Sequence, residues 1–177
     1  GVSFVGNRET AYRVCLWSRV AGRVLLKLAE FEAETPEALY EGVQETDWSV
    51  HVMPEGTLAV SCTSVQSEIS HTHFASLKVK DAIVDQFRDQ TGIRPSVEID
   101  RPDIRVNLFL FRNRATLSLD LSGESLHRRG YRTEGGEAPL KEHLAAALLL
   151  RAQWLKVAQA GGSLLDPMCG SGTFLIE

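Results

Sequence analysis

Cysteine is scarce and scattered. The 177 residues hold three, Cys15, Cys62 and Cys169. No CxxC pair occurs, which argues against a zinc ribbon and against a disulfide framework. A reducing, cytoplasmic location is the expectation. Long apolar runs are missing too. The longest, Leu144 to Leu150, falls well short of the roughly 20 residues of a membrane span. Lys141, Glu142 and His143 precede it and Arg151 follows, so it reads as a buried helix. The opening GVSFVGNRET has neither the basic nor the apolar region of a secretory signal. It also lacks a starting methionine, so a trimmed N-terminus is expected. No sign of charge dominates: 19 Lys and Arg face 23 Asp and Glu, a net charge of −4. That balance does not advertise nucleic-acid binding, although phosphate contacts need only a local basic patch. His71 and His73, in HTH, lack further ligands at metal spacing and read as loop or helix-start residues, so no metal is expected. There is no internal repeat.

What is present is an ordinary globular composition, 44% hydrophobic and 24% charged. The length suits one large domain or two small ones. VSFVG reads as a short strand. RETAYRVCLWSRVA follows as a helix with a Val14, Trp17, Val20 stripe, broken at Gly22. RVLLKLAEF reads as a strand. ETPEALYEGVQE reads as a helix with Thr35 as N-cap and Pro36 at its first position. TLAVSCTSV is a strand. HFASLKVKDAIVDQFRDQTG is the clearest helix, with Val79, Ile83 and Phe87 on one line and Gly92 as its stop. DIRVNLFLF and ATLSLDL form a hairpin around RNR, with Ile104, Val106, Leu108 and Leu110 on one face, and Ala115, Leu117, Leu119 and Leu121 on one face. SGESLHRRGYRTEGGE is a connector containing a domain boundary. Pro139 then opens the helix PLKEHLAAALLLRAQW, QAGG ends that region, and SLLD starts a buried strand.

The chain closes on LLDPMCGSGTFLIE, read as strand, glycine-rich turn and helix. Asp166 stands at the strand's carboxyl end, where open α/β sheets bind ligands. Gly170 and Gly172 let a ligand approach the backbone. The helix near Thr173 offers unpaired N–H groups. There is no lysine for a P-loop, and the third glycine of a dinucleotide fingerprint is replaced by Leu175. A tight turn without a ligand is the competing reading. Cys169, near a helix start, reads as a small packing residue rather than a nucleophile, since no histidine is near it in sequence.

D-P-x-C-G-S-G-T resembles the first motif of Rossmann-like S-adenosylmethionine-dependent methyltransferases acting on base amino groups. The resemblance implies S-adenosylmethionine as cofactor, held by Asp166, Pro167, Cys169, Gly170, Ser171, Gly172 and Thr173. DLSGESLHRRGYR resembles the corresponding segment of THUMP-domain RNA methyltransferases. With the helix KVKDAIVDQF and the strand RPDIRVNLFL before it, the resemblance extends over nearly the whole chain. Within that family it is greatest to bacterial large-subunit ribosomal RNA guanine-N2 methyltransferases, including forms fused to a guanine-N7 domain. Residues 1 to 28 are similar to the latter part of the ferredoxin-like domain that precedes THUMP there.

The resemblance implies an α+β fold. A partial ferredoxin-like domain would span 1–34, a THUMP domain 35–125, a connector 126–137 and the start of a Rossmann-like methyltransferase domain 138–177. A THUMP module is expected to bind structured ribosomal RNA by shape. Candidate contacts are Lys78, Lys80, Arg105, Arg112, Arg114, His127, Arg128, Arg129, Tyr131 and Arg132. Each has a structural alternative: Lys78 and Lys80 as a solvated helix face, Arg105 paired with an acid, Tyr131 and the HRRGYR cluster packed as an interdomain brace. The family's ribose-binding acid and its N-P-P-Y-like amino-group clamp do not occur before Glu177. Catalysis here is chiefly a matter of placing the amino nitrogen in line with the methyl group. An inactive RNA-binding portion of an enzyme, stopping just inside its catalytic domain, is therefore expected, with weak or no cofactor binding of its own. A transfer-RNA guanine methyltransferase, a DNA amino-methyltransferase and a non-catalytic RNA-binding adaptor are the rivals. No DNA-binding motif is visible.

Overall fold

The computed structural model describes residues 1–132 and 139–177. The last part of the expected connector, 133–137, and residue 138 lie outside the described residues. Two compact units form, one from residues 25–123 and the other from residues 1–24 together with 124–177.

In the 25–123 unit a five-stranded sheet runs in the order β1-β5-β4-β2-β3. The strands are β1 Leu25–Glu32, β2 Thr57–Val65, β3 Ser96–Val97, β4 Ile104–Phe111 and β5 Arg114–Asp120. β2 lies parallel to β4 and β3, while β5 lies antiparallel to β4 and β1. The β4–β5 turn is two residues, Arg112 and Asn113, with φ of 50° and 63°. Two positive φ values are what a hairpin turn of matching twist requires, and asparagine tolerates them.

Helices α2 (Pro36–Gln44) and α3 (Thr72–Thr91) cover one face of this sheet. Thr35 caps α2 by accepting the Ala38 N–H at 3.2 Å, and Pro36 needs no partner at that position. His71 caps α3, its Nδ1 accepting the Phe74 N–H at 3.0 Å, and Gly92 ends α3 at φ 74°. Val79, Ile83 and Phe87 are all buried against Val106, Leu108, Leu110, Ala115 and Leu117 in one core. Gly42 lies against the Phe31 ring, where a Cβ would overlap it. The short 3₁₀ turn Trp48–Val50 carries Trp48 into the same core. Neither that turn nor β3 was expected from the sequence. Three residues (Trp48–Val50) and two residues (Ser96–Val97) are too short to show a period.

In the other unit the helices are α1 (Arg8–Trp17), α4 (Glu142–Arg151), α5 (Trp154–Gln159) and α6 (Thr173–Ile176). Several expectations fail here. VSFVG is not a strand: none of the described strands lies beside it, and Val2 and Val5 stay exposed. α1 stops at Trp17, before Val20 and Gly22, with its first turn capped by Asn7. Trp17 and Val20 are exposed and only Val14 of the expected stripe is partly buried. The helix expected from Pro139 begins at Glu142 and breaks at Gln153, whose φ is 55°. Of that helix Glu142, Ala145 and Ala146 are buried, while Leu144, Leu148 and Leu150 are exposed. No strand forms at residues 163–166, and Leu165 is exposed. A strand exists only through its neighbours' hydrogen bonds, and none of the described strands lies beside this segment.

No described helix is long and apolar enough to cross a membrane. Among the described residues no group of three or more His, Cys, Asp or Glu can hold a metal ion.

Candidate functional site

The glycine-rich turn is built from its own backbone. Asp166 folds back, its Oδ1 accepting the Met168 N–H at 3.1 Å, so Pro167 lies inside a tight bend. The Gly172 N–H then donates to the Cys169 carbonyl at 2.7 Å, and the Gly172 carbonyl accepts from Leu175 and Ile176 at the start of α6. Gly170 and Gly172 have φ of 52° and 75°, and nothing lies within 4 Å of where a Cβ would stand on either. Both therefore need glycine for conformation, and both leave open space beside the backbone. Thr173 is buried, and Ser171 Oγ lies 3.4 Å from its Oγ1.

Cys169 is exposed, not packed into the turn, and its Sγ reaches the Gly170 carbonyl at 3.8 Å. Cys62 is the opposite case, since burial pushes its thiol up to about 11. The thiolate is the reactive form, and at pH 8 only about one Cys62 in a thousand would carry it. Iodoacetamide at pH 8 should therefore alkylate the exposed Cys169 faster than the half-buried Cys62. Peptide mass mapping over time checks this, and equal rates would contradict the burial of Cys62.

The connector meets this turn through a dense polar cluster. The Glu177 side chain is fully shielded from solvent, and Arg129 and Arg19 reach its Oε2 at 3.0 and 3.1 Å. The Tyr131 hydroxyl donates to Oε1 at 3.1 Å. Burial, and then the Glu177 hydrogen bond and charge, push that hydroxyl up to about 12. Arg129 also donates to the Arg19 carbonyl at 2.6 Å. Arg132 serves three partners: the Leu140 carbonyl at 2.8 Å, Thr173 Oγ1 at 2.9 Å and, at 3.7 Å, the buried Glu142. His127 bonds Ser125 at 2.7 Å and lies 5.3 Å from the His143 ring, and burial draws its pKa down. Arg128 faces outward. Arg129, Tyr131 and Arg132 are thus brought together around α6 and the start of α4.

Sequence reasoning missed the acids Glu142 and Glu177 and the base Arg19. The signal was there for the acids. Glu142 opens, and Glu177 follows, an otherwise apolar stretch, and a charge in such a place needs a partner.

In the 25–123 unit the basic candidates divide between two layers. On α3, Lys80 pairs with Asp81, and the Lys78 ammonium lies 5.9 Å from the ring centres of both Tyr40 and Phe74. On the opposite, uncovered side of the sheet, Arg105 donates to the Ile99 and Asp100 carbonyls, at 2.7 Å each, rather than to an acid. Arg114 bridges Glu30 and Glu32 at 3.1 and 2.9 Å. Hydrogen bonds from Lys27 and then Arg114 hold the Glu30 carboxyl below its usual range. Arg112 lies over the Phe111 ring at 5.1 Å and donates to Gln66 at 3.3 Å.

Three family models match the chain in series. They are the RlmL ferredoxin-like domain over residues 1–25, the THUMP domain over 33–120, and the RMKL-like, methyltransferase domain over 129–177. The ribosomal RNA large subunit methyltransferase K/L of Methylococcus capsulatus is 63% identical across all 177 residues. The chain carries a THUMP domain followed by an RMKL-like methyltransferase domain. The protein of the same name from Syntrophotalea carbinolica is 60% identical, again over the whole chain. The chain spans only 24% and 25% of those two relatives.

Solved structures agree on the family's architecture. A predicted N6-adenine-specific DNA methylase from Listeria monocytogenes matches with a TM-score of 0.76 and 29% identity, over 97% of this chain and 44% of that one. SMU.472, complexed with SAH, matches with a TM-score of 0.74 and 31% identity, over 97% and 44%. The THUMP match covers most of the sheet-and-helix unit. The methyltransferase match begins at Arg129, one of the residues that grip Glu177.

Proposed function

We propose that this chain is the RNA-binding portion of an enzyme that transfers a methyl group from S-adenosylmethionine to guanine N2 of large-subunit ribosomal RNA. The observation that carries the reading is identity of 60–63% over the full chain with ribosomal RNA large subunit methyltransferases K/L. That substrate is cytoplasmic in a bacterium, and the proposed location follows it.

The residues present fit the cofactor's glycine turn. Two left-handed glycines with open space beside them suit a ligand lying against the backbone. Asp166, Pro167, Cys169, Gly170, Ser171, Gly172 and Thr173 would hold it. When bound, S-adenosylmethionine supplies an electrophilic methyl group on a sulfonium. Arg132 holds the turn to the chain by its bond to Thr173. No described residue is assigned the deprotonation or clamping of the amino nitrogen, so the chain alone is proposed to be inactive.

The methylase from Listeria supports a second reading, amino methylation of DNA, at 29% identity. The THUMP match and the higher-identity ribosomal relatives favour RNA. The test is binding of the chain to large-subunit ribosomal RNA fragments, transfer RNA and duplex DNA across a salt series. RNA affinity should fall with a slope of about −0.7 to −0.9 in log K against log salt per phosphate contacted, as counterions are released. Ribosomal RNA should bind best. Equal binding of DNA, or an affinity indifferent to salt, would remove the proposal. Calorimetry should show weak or no binding of S-adenosylmethionine to the chain.

A further inference from the structure

The uncovered face of the 25–123 sheet carries an aromatic feature that the methyltransferase reading does not use. Strand alternation places Val106, Leu108 and Leu110 of β4 in the core and turns Asn107, Phe109 and Phe111 the other way. β4 is the central strand, so these side chains stand mid-sheet and not on a ragged edge. Phe109 and Phe111 are 40% and 41% exposed. Their rings are parallel to within 7°, with centres 6.4 Å apart. Their cross-strand neighbours are Thr63 and Val65 on β2 and Thr116 and Arg114 on β5; the first three are small, and Arg114 is bonded to Glu30 and Glu32.

Large apolar rings at the centre of an open sheet are costly to leave in water unless something covers them. The setting says what that is. The Arg112 guanidinium stands 5.1 Å from the Phe111 ring centre and is bonded there to a neutral partner, Gln66, at 3.3 Å. Asn107 adds an amide, with one of its N–H groups donating to Ser61 at 3.2 Å. Parallel rings, a cation beside them and polar edges form the chemistry that receives unpaired bases. Bases stack on aromatic faces, the guanidinium meets phosphate or a base plane, and amides meet base edges. A protein partner would more usually meet a continuous apolar patch, whereas here Thr63, Thr116 and Asn107 interrupt it.

We infer that Phe109, Phe111 and Arg112 form a stacking platform for one or two unpaired bases of the RNA, on the sheet side of the THUMP unit. This rests on the RNA reading above and goes beyond it by naming the face and the single-stranded character of what binds there.

The test uses the 177-residue chain with two probes, a ten-nucleotide single-stranded RNA and a blunt RNA duplex. The double variant Phe109→Leu, Phe111→Leu keeps apolar bulk and removes the rings. It should weaken the single strand at least about tenfold, since base–aromatic stacking is the term removed. Duplex binding should change less than about twofold. The variant Phe111→Trp keeps a ring, should hold affinity, and should show indole fluorescence quenched on adding the single strand. Circular dichroism melts confirm that each variant folds. Unchanged single-strand affinity in the double variant, with no quenching in the tryptophan variant, overturns the platform. In that outcome continued salt-dependent duplex binding leaves the RNA reading standing, while loss of both probes by the parent chain fells the RNA reading itself. A change in self-association, rather than in RNA binding, in the double variant would also overturn the platform and assign the face to a second copy.

Discussion

Arg132→Met should destabilise the unit formed by residues 1–24 and 124–177 by about 3–5 kcal/mol. Glu142 is 5% exposed, and its Oε2 has no hydrogen-bond partner among the described residues. Arg132 is the cation beside it, at 3.7 Å. Removing one member of a buried charge pair leaves the other uncompensated, and that loss typically costs about 3–5 kcal/mol. Methionine approximates the arginine stem in volume, so the change is electrical before it is steric. Two further acceptors, the Leu140 carbonyl and Thr173 Oγ1, lose their donor. Urea unfolding followed by circular dichroism measures the loss. Glu142→Gln in the same background should recover part of it, because the neutral amide no longer needs a counter-charge. A coupling between the two sites of about 0.5–3 kcal/mol is expected for direct partners. A loss under about 1 kcal/mol for Arg132→Met alone would show that Glu142 is satisfied by something else.

The sheet and its helices were readable wherever the period was long and the ends were marked. Val79, Ile83 and Phe87 at four-residue steps, Gly92 past the end, Thr35 with Pro36, and the alternation from Ile104 to Leu119 all lie in the structure as read. Local chemistry decided those elements. VSFVG and SLLD failed for the opposite reason. Each has strand-like residues, but a strand needs a neighbour to pair with, and none of the described strands supplies one. The run Leu144 to Leu150 is helical as read, with Ala145 and Ala146 buried, but Leu144, Leu148 and Leu150 stay exposed, since burial requires a surface to bury against.

The glycine turn was readable because its demand is conformational: Gly170 and Gly172 sit at positive φ. The grip of Arg129, Tyr131 and Arg132 on Glu142, Thr173 and Glu177 spans 10 to 48 residues of chain. Sequence spacing alone does not encode such partners. It showed a basic cluster and left its use divided between RNA contact and bracing. Phe109 and Phe111 alternate with Leu108 and Leu110, which were read as one face of the hairpin, but spacing alone gave the two rings no role of their own.

In the 25–123 unit the largest single loss should follow Trp48→Ala, about 3–5 kcal/mol. Trp48 is fully buried, and its indole N–H donates to the Val43 carbonyl at 3.0 Å. Its own backbone N–H is held by Gln86 Oε1 at 3.0 Å, while the Gln86 amide donates to the Gln44 and Thr46 carbonyls at 2.9 and 3.0 Å. Gln86 thus secures the backbone just past α2, and the indole fills the space beneath it. Alanine there removes apolar contact, opens a cavity and takes the indole donor from the Val43 carbonyl, leaving it the weaker Thr46 N–H at 3.3 Å. The Gln86 clasp keeps the backbone in place, so the cavity cannot collapse easily. Trp48→Phe separates these effects: it keeps most of the volume, loses the donor, and should cost about 1–3 kcal/mol. A small domain holds only about 5–15 kcal/mol in total. The alanine variant should therefore lose RNA binding in proportion to its unfolded fraction, while Trp17 and Trp154, both in the other unit, continue to report that unit's own transition by fluorescence. If instead the Ala and Phe variants cost the same, the hydrogen bond and not the packed ring would be what holds the core at that point.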